Sequence, residues 1–354
     1  MLAIGCARAV DPEGWATPVV SGEFIIVSTD KGTISALSST DFREIWRFPT
    51  QEEKYDPEAI YSTPVVTADT VYFGGYDGRV YALEKSSGRL KWDTPFKTDD
   101  PIIGGVVLDE SSNTLFAVSD DGRVYGLDPS SGRLKAPWPF NTGDRIWATP
   151  LLSGGVLYVP SLNGKLYALD PASGASVWDK PFKAEAGLIS RPVLADGRLL
   201  VGSIDRKLYA VDARTGQPVW QRPFKSDNWF WAEPLVVGDV IYAPSLDDRV
   251  YALKLSDGSP VWPQPFKASN PIKSRPVFVK EVDSLVVADR NGKVYGLDPA
   301  GGGLKWAAPA DLAKKIFADL VHTEKGVLVL TQGGDIFILD PATGAFSLQA
   351  VRRA

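Results

Sequence analysis

The sequence predicts an all-β protein, an eight-bladed β-propeller of four-stranded antiparallel blades. Three observations predict it: a motif that recurs about every 42 residues, short β-rich runs between turn residues, and no helical apolar period of useful length. Equivalent positions of the repeat lie 42 to 46 residues apart. These positions are Ser35, Tyr81, Tyr125, Tyr167, Tyr209, Tyr251, Tyr295 and Phe337.

One copy of the repeat, residues 148–182, shows why each unit is expected to form a four-stranded sheet. Its four pieces read TPLL, VLYVPS, KLYALD and ASVWDKPF, and the turns between them read SGG, LNG and PASG. β-Branched and aromatic residues favour strands, and Asn-Gly, Asp-Gly and Ser-Gly pairs supply the positive φ that tight hairpins require. The unit therefore predicts four short strands joined by hairpin turns.

The predicted strands are apolar on both faces, so an isolated sheet would leave apolar surface in water. Stacking eight sheets face to face around an axis covers both faces and protects most edges. A large β-sandwich or an open solenoid is the alternative arrangement. We predict a single propeller domain over residues 15–354, preceded by an N-terminal tether over residues 1–14.

Within each copy, a short pattern recurs that is represented by Ala168, Asp170, Gly174 and Trp178. The Asp accepts backbone N–H groups in the turn, the Gly adopts a positive φ, and the Trp buries its ring against the next blade. We therefore expect these Trp residues to hold blade to blade and not to catalyse. Their equivalent positions are Trp46, Trp92, Ala136, Trp178, Trp220, Trp262, Trp306 and Leu348, with Trp138 on the same strand face in the third copy.

The composition excludes several classes of function. One cysteine, Cys6, and one histidine, His322, allow neither an internal disulfide nor a zinc site built from Cys and His. A Ser-His-Asp triad would have to use His322, whose sequence neighbours do not suggest one. The net charge of −5 argues against a nucleic-acid partner. No apolar run reaches the ~18 residues of a membrane-spanning helix.

The recurrent Ala-x-Asp-x-x-Ser/Thr-Gly-x-x-x-Trp pattern resembles the tryptophan-docking repeat of propellers related to pyrroloquinoline-quinone enzymes. The resemblance covers nearly the whole chain. One branch of this family contains the quinoprotein dehydrogenases, and it implies a quinone in the channel, a Ca²⁺ ion held by carboxylates and amides, and a catalytic Asp. The other branch is non-enzymatic and BamB-like, and it implies a protein-binding scaffold.

The residues favour the non-enzymatic branch. The disulfide of adjacent cysteines that many quinoproteins contain is impossible with one Cys, and no copy has a long insertion. The segment Ser119–Gly122 resembles a calcium loop faintly, but it occupies the place of a hairpin turn in other copies. We predict no catalytic residue, metal ion or cofactor. The alternative is a quinoprotein-type dehydrogenase or a quinone-binding propeller.

In an antiparallel four-stranded blade, the second turn and the linker to the next blade emerge on one side, which we call the linker face. Exposed aromatic residues beside Arg and Lys favour protein binding, whereas aromatic plugs beside solvated cations are the structural alternative. We predict a locally basic and aromatic face, with residues 228–231 exposed. The predicted partner-binding residues are Tyr61, Arg79, Arg123, Trp147, Lys165, Lys207, Trp229, Phe230, Trp231, Arg249 and Lys293.

A second set of positions lies just before the first-strand proline that six of the eight copies contain. The last four of the eight copies have charged residues there that alternate in sign, so we expect neighbouring blades to pair them at the channel mouth. Such pairs mostly define geometry, but quinone-binding relatives place ligand contacts here, which makes a small-molecule site the alternative. The four residues are Arg191, Glu233, Arg275 and Asp319.

The N-terminal stretch MLAIGCAR resembles the lipobox before a bacterial lipidated cysteine. Cys6 would then be lipidated, and the following residues would tether the propeller to a membrane. Only five residues precede Cys6, fewer than a signal peptide contains, so this interpretation requires a signal segment upstream, and the alternative is that Cys6 is a chance thiol. We expect a monomeric, extracytoplasmic lipoprotein that binds another protein of the cell envelope.

Overall fold

The computed structural model describes residues 13–29 and 31–351. Blades 1 to 4 each contain four strands. Blade 1 begins with β1, and blade 4 ends with β16. Their bounds are β1 Val19–Ser21, β2 Phe24–Ser28, β3 Ile34–Ser38, β4 Glu44–Phe48, β5 Val65–Val66, β6 Thr70–Gly74, β7 Arg79–Glu84, β8 Phe96–Lys97, β9 Gly105–Asp109, β10 Thr114–Val118, β11 Arg123–Leu127, β12 Phe140–Asn141, β13 Leu151–Ser153, β14 Val156–Pro160, β15 Lys165–Leu169 and β16 Phe182–Lys183.

Blades 5 to 8 continue the same order, and a 3-10 turn over Lys280–Val282 is the only helical element in the described ranges. The bounds are β17 Val193–Ala195, β18 Arg198–Gly202, β19 Lys207–Asp212, β20 Phe224–Lys225, β21 Leu235–Val237, β22 Val240–Pro244, β23 Arg249–Lys254, β24 Phe266–Lys267, β25 Val277–Val279, β26 Ser284–Ala288, β27 Lys293–Leu297, β28 Ala310–Asp311, β29 Val321–Thr323, β30 Gly326–Leu330, β31 Ile336–Leu339 and β32 Phe346–Ala350.

Every blade consists of four consecutive strands paired in chain order, and all the pairs are antiparallel. First strands of neighbouring blades contact each other around the central channel, while fourth strands lie at the rim. The all-β, eight-bladed propeller predicted from the repeat is therefore confirmed. Within the described residues no helix is long and apolar enough to span a membrane.

In the part of the chain that the structure describes, the ring closes without a blade shared between the N-terminal and C-terminal strands. Instead, apolar side chains of blade 8, including Leu328 and Leu330, pack directly on Ile25 and Val27 of blade 1. The core of the molecule is a series of such clusters, one at each junction between blades, because each sheet is apolar on both faces. We call the junction between blades 8 and 1 the closing seam.

Six junctions are fastened by a tryptophan, as the repeat pattern predicts. Trp46 is 7% exposed, and its indole Nε1 donates a hydrogen bond to the backbone oxygen of Lys85 in blade 2 at 2.7 Å. The ring also covers Gly88 at φ 72°, where a Cβ atom would lie 2.5 Å from the indole. We call these junctions the indole seams; the six docked residues are Trp46, Trp92, Trp178, Trp220, Trp262 and Trp306.

The junction between blades 3 and 4 uses Trp138, as expected, but with a different fit. Trp138 is 5% exposed and packs edge-on against Phe116 at a centroid distance of 4.9 Å. A Cβ atom on Gly174 of blade 4 would lie 3.5 Å from Pro137 and 3.9 Å from Trp138, which is ordinary contact. The ring therefore lies farther from the receiving glycine than in the indole seams.

At the closing seam, Leu348 does not take the place of the missing tryptophan. In blade 1 a bulge between Ala36 and Leu37 sets Trp46 opposite Ala36. In blade 8 the irregularity lies elsewhere, so Ser347 faces Ile338. Because side chains alternate along a strand, Leu348 points to the other face of the blade, where it is 50% exposed.

Candidate functional site

The linker face carries a funnel of aromatic side chains at the mouth of the channel. Four of the aromatic residues sit three positions before a first-strand proline, and Phe317 sits at the same distance before Leu320, so the repeat places them in one ring. Trp15 contacts Tyr61 edge-on at 4.4 Å between ring centroids, and Trp231 lies between Trp15 at 6.3 Å and Trp147 at 6.4 Å. The cavity that they line, which we call the aromatic funnel, has a volume of about 400 Å³.

Lys273 projects into this funnel, although it is not among the residues that the sequence pattern predicts for the site. Its ammonium nitrogen lies 4.7 Å from the ring centroids of Trp15 and Trp231 and 5.0 Å from that of Phe317. Cations are attracted to aromatic faces at this distance. Burial lowers the pKa of Lys273, and the nearby charge of Arg290 lowers it further. The only available signal was that Lys273 lies two positions before Arg275, the seventh position of the predicted ring, where other copies have an aromatic residue.

The charged ring at the channel mouth is paired as the alternation predicts. Arg191 Nη1 lies 3.6 Å from Glu233 Oε2, and Arg275 Nε lies 3.3 Å from Glu233 Oε1. The backbone N–H of Arg275 donates to Asp319 Oδ1 at 2.7 Å, and the backbone N–H of Asp319 donates to Thr17 Oγ1 at 3.1 Å. A continuous polar chain therefore links blades 5, 6, 7, 8 and 1.

Burial dominates the titration of the two carboxyl groups in this chain. It raises the pKa of Glu233, against the opposing effect of Arg191 and Arg275. It also raises the pKa of Asp319, against the backbone N–H and the charge of Arg275. The remaining half of the ring consists of Thr17, Thr63, Gly104 and Thr149, so charge is concentrated on one side of the channel.

The second-turn cations are less free than we expected, and the expectation of a locally basic face is wrong for four of them. Arg79 pairs with Asp77 at 2.7 Å, and Arg249 pairs with Asp227 at 2.7 Å. Acidic residues of the turns and of the preceding linkers neutralise these cations. The other pairs are Arg123 with Asp99 and Lys207 with Glu185, whereas Lys293 approaches Ser269 Oγ at 3.4 Å and Lys165 is half-buried at the start of its strand.

The repeated tyrosine has a structural role in the same turns. Tyr81 donates its hydroxyl hydrogen to Asp77 Oδ2 at 2.7 Å, and Tyr251 donates to Asp247 Oδ2 at 2.6 Å. The carboxylate in turn accepts the backbone N–H that follows the turn, as Asp247 does from Arg249. The tyrosine on which the repeat was aligned therefore locks the second turn of its blade.

The stretch 228–231 divides between surface and core. Trp229 is 38% exposed, whereas Phe230 is 1% exposed and packs in the core between blades 5 and 6. Our expectation that Phe230 is exposed is therefore wrong. Its position follows from the close approach of the chain to Gly202, where a Cβ atom would lie 2.3 Å from the backbone oxygen of Phe230. Trp231 is half-buried in the funnel.

The funnel residues do not fit a calcium-bound quinone. Three aromatic faces already surround the ammonium of Lys273. Both carboxyl groups of the lining, Glu233 and Asp319, are engaged by Arg275. Across residues 13–29 and 31–351, no group of three or more His, Cys, Asp or Glu side chains is placed to hold a metal ion.

The fold and the indole seams define the chain as a propeller of the pyrroloquinoline-quinone-like class. A family model described as "Outer membrane protein assembly factor BamB" matches residues 7–103, 99–180 and 162–316, which is more than half of the chain. The chain belongs to this BamB family, as its repeat pattern suggests.

Relatives agree with this assignment over different lengths. A protein named outer membrane protein assembly factor BamB, from Marinobacter adhaerens, is 29% identical over 69 residues, which are 20% of this chain and 17% of that relative's length. The chain thus matches only a small part of the curated relative.

Two solved structures share the fold. The crystal structure of BamB from Moraxella catarrhalis has a TM-score of 0.73 at 18% identity and covers 91% of this chain and 92% of its own. The computationally designed Ika8 protein has a TM-score of 0.72 at 13% identity and covers 93% and 96%. At these identities the similarity shows the fold alone.

Proposed function

We propose that the chain is a non-catalytic, protein-binding propeller that acts outside the cytoplasm in the assembly of outer-membrane proteins. Its membership in the BamB family supports this role. The observation that carries the proposal is the side chain of Trp229, which is 38% exposed on the linker face, two residues before Trp231 of the aromatic funnel. Tryptophan is among the residues that contribute most to protein–protein binding.

The loop that presents Trp229 is held in place before any partner arrives. Asn228 Oδ1 accepts the backbone N–H of Trp229 at 2.9 Å, and Asn228 Nδ2 donates to the backbone oxygen of Leu246 at 3.1 Å. The backbone oxygen of Trp229 accepts the N–H of Leu246 at 3.0 Å. A partner that binds this rigid loop loses less conformational entropy than one that must order it.

Trp147 extends the same surface across the funnel. Its indole Nε1 donates to Asp120 Oδ1 at 2.7 Å, which fixes the ring orientation. The ion pairs of the second turns then surround the aromatic residues with polar groups. Aromatic residues are enriched in protein interfaces, whose rims are polar.

Site-specific photo-crosslinking in the envelope of the native host tests this proposal. A photo-reactive phenylalanine analogue is placed at Trp229 and, as a matched control, at Leu134, an apolar residue that is 44% exposed on the other side of the ring. We expect an adduct with an outer-membrane assembly protein from position 229 and none from position 134. Equal crosslinking from both positions, or none from position 229, contradicts the proposed face.

The location is tested separately through Cys6, which lies outside the described residues. We propose that Cys6 is lipidated and anchors the propeller to a membrane. Metabolic labelling with a fatty-acid probe should label the wild type and not Cys6→Ser, and the variant should move to the soluble extracytoplasmic fraction. An unlabelled wild type that is already soluble contradicts the anchor.

A further inference from the structure

The closing seam contains a cavity of about 790 Å³ at the outer part of the ring. Blade 8 contributes Leu328 and Ile338 to its wall, and blade 1 contributes Ile25, Ser39 and Phe42. It lies far from the linker face, because its other walls come from first and third turns of the blades. The role of the linker face therefore leaves it unexplained.

The wall of this cavity corresponds, position by position, to the binding site of an indole ring in the neighbouring seam. Around Trp46, blade 1 provides Ile26 and Ala36, while blade 2 provides Gly88 and the backbone oxygen of Lys85. Leu328, Ile338, Phe42 and Ser39 hold the equivalent places at the closing seam. The cavity is therefore the place where six other seams accommodate an indole.

No outer-strand ring of this chain reaches that place among the described residues. Ser347 faces Ile338, and Leu348 points to the opposite face. Lys325 crosses the seam instead: its ammonium donates to the backbone oxygens of Ser39 at 2.7 Å and Thr40 at 2.6 Å. That ammonium also lies 4.9 Å from the ring centroid of Phe42, so it makes a cation–π contact with the face of this ring.

The neighbouring surface carries three carboxylates against the ammonium of Lys325 and the imidazole of His322, whose Nε2 lies 4.0 Å from Glu281 Oε2, and it has an open strand edge. A second cavity of about 580 Å³ shares the wall at Ile338 and is lined by Glu281, Glu324 and Asp340. The strand β32 pairs only with β31 within the described chain, and Phe346 and Leu348 on it are 43% and 50% exposed. Unpaired, apolar edge strands accept an additional strand from another chain.

We propose that the closing seam binds an extended segment of another protein that carries an aromatic side chain flanked by basic residues. The backbone of the segment lies along β32, its aromatic ring enters the cavity beside Ile338 and Phe42, and its basic residues face Glu281 and Glu324. We infer an aromatic side chain because the indole seams of the same molecule accept one at the equivalent place. We infer flanking basic residues because carboxylates line the neighbouring cavity.

Peptide binding to the full chain tests the ring and the charge. Fluorescein-labelled Lys-Val-Lys-Trp-Lys-Val-Lys is titrated by anisotropy beside a peptide with Ala for Trp and a peptide with Glu for every Lys. Burial of an aromatic side chain should make the Trp peptide bind at least about tenfold tighter than the Ala peptide. The Glu peptide should bind more weakly than the Lys peptide. Equal affinity of the Trp and Ala peptides overturns the proposal.

A filled-cavity variant locates the binding. Ser347→Trp combined with Ile338→Ala places an indole opposite alanine, as in blade 1, and should abolish binding of the Trp peptide. The matched control Leu134→Trp adds a ring at an exposed position elsewhere and should bind as the wild type does. If the double variant does not fold, Ile338→Trp fills the cavity from the third strand. Unchanged affinity in a folded, filled variant overturns the site.

A second copy of the chain is the competing occupant. Sedimentation velocity of the wild type and of the filled-cavity variant distinguishes it. If the wild type is a dimer and the filling substitutions disrupt it, the seam binds a second copy of this chain. That result overturns the proposal of a separate partner. A wild type that remains monomeric while it binds the Trp peptide supports the proposal.

Discussion

The six indole seams and the closing seam join equivalent blades by different means. In an indole seam one residue, such as Trp220, both buries a ring on Gly258 and donates a hydrogen bond across the junction, to the oxygen of Leu255 at 3.1 Å. At the closing seam those two tasks are separated. Ile338 and Phe42 fill part of the volume, and the ammonium of Lys325 supplies the hydrogen bonds.

The difference shows that a docked indole and the residues that receive it form one matched set. The alanine beneath the indole, the glycine that receives it and the carbonyl that bonds to it are useful only when the indole is present. At the closing seam all three have changed, to Ile338, to Phe42 at φ 59°, and to an oxygen bonded by lysine. A seam is therefore altered as a set and not one position at a time.

The largest effect should come from removing a docked indole. Trp220→Ala should lower the free energy of unfolding by about 3–5 kcal/mol, because it leaves a cavity and an unpaired oxygen. Leu348→Ala, the positional equivalent in blade 8, should change it by no more than about 0.5 kcal/mol because the side chain is exposed. Urea denaturation of both variants checks the contrast, and similar losses would contradict the distinction between the seams.

The receiving glycine should be the next most sensitive position. Gly258→Ala forces an alanine into φ +74° and puts its Cβ 2.7 Å from the Trp220 ring. Gly238→Ala requires a similar φ of +61° but meets no atom within 4 Å. We expect a loss of about 2–4 kcal/mol for Gly258→Ala and about 1 kcal/mol for Gly238→Ala, measured by urea denaturation. Equal losses would show that backbone strain alone is responsible.

Converting the closing seam into an indole seam should stabilise the ring. Ser347→Trp with Ile338→Ala should raise the free energy of unfolding by about 1–2 kcal/mol through burial of the added ring. Thermal unfolding followed by circular dichroism measures the change, with Leu134→Trp as the control for an added exposed ring. A lower melting temperature than that of the control would mean that the cavity does not match an indole.

A smaller effect is expected at Lys325. Lys325→Met removes the ammonium from the Ser39 and Thr40 oxygens, which water can reach because this side chain is exposed. The loss should be about 0.5–1 kcal/mol, as is usual for an exposed polar contact. A loss of unfolding free energy as large as that of Trp220→Ala, in the same denaturation assay, would show that Lys325 alone stabilises the closing seam as strongly as a docked indole stabilises its seam.

The inner end of the closing seam should show a pH trend. Burial raises the pKa of Asp319 above its unfolded value, so the folded protein binds this proton more tightly than the unfolded chain does. The stability of the wild type relative to Asp319→Asn should therefore increase as the pH falls from neutral through the raised pKa. Denaturation midpoints of both proteins from pH 7 to pH 4 test this sign, and the opposite slope would contradict it.

The repeat made the blades and the docked tryptophans predictable because both depend on short patterns. Alternating apolar strands, Gly turns and a Trp four residues after the turn Gly specify one blade and its contact with the next. The ring of alternating charges was predictable for the same reason, since Arg191, Glu233 and Arg275 recur at equivalent positions of consecutive blades.

What could not be predicted depends on residues from different repeats. Arg249 is neutralised by Asp227, 22 residues away in the preceding linker, and this pair removed the basic surface that the cations alone suggested. The prediction that Phe230 is exposed came from its neighbours in the sequence, but its burial depends on the backbone of Gly202 in another blade. Lys273 was missed because three blades provide the rings around it.

By itself, the sequence determined the period, the strand order within a blade, the number of blades and the residue that docks at most seams. Each of these follows from local alternation and from turn chemistry repeated eight times. The tertiary structure decided which cations remain free, which aromatic residues face water and how the last blade meets the first. Those outcomes depend on contacts between residues up to about 300 positions apart, such as Asp319 with Thr17, which no local pattern encodes.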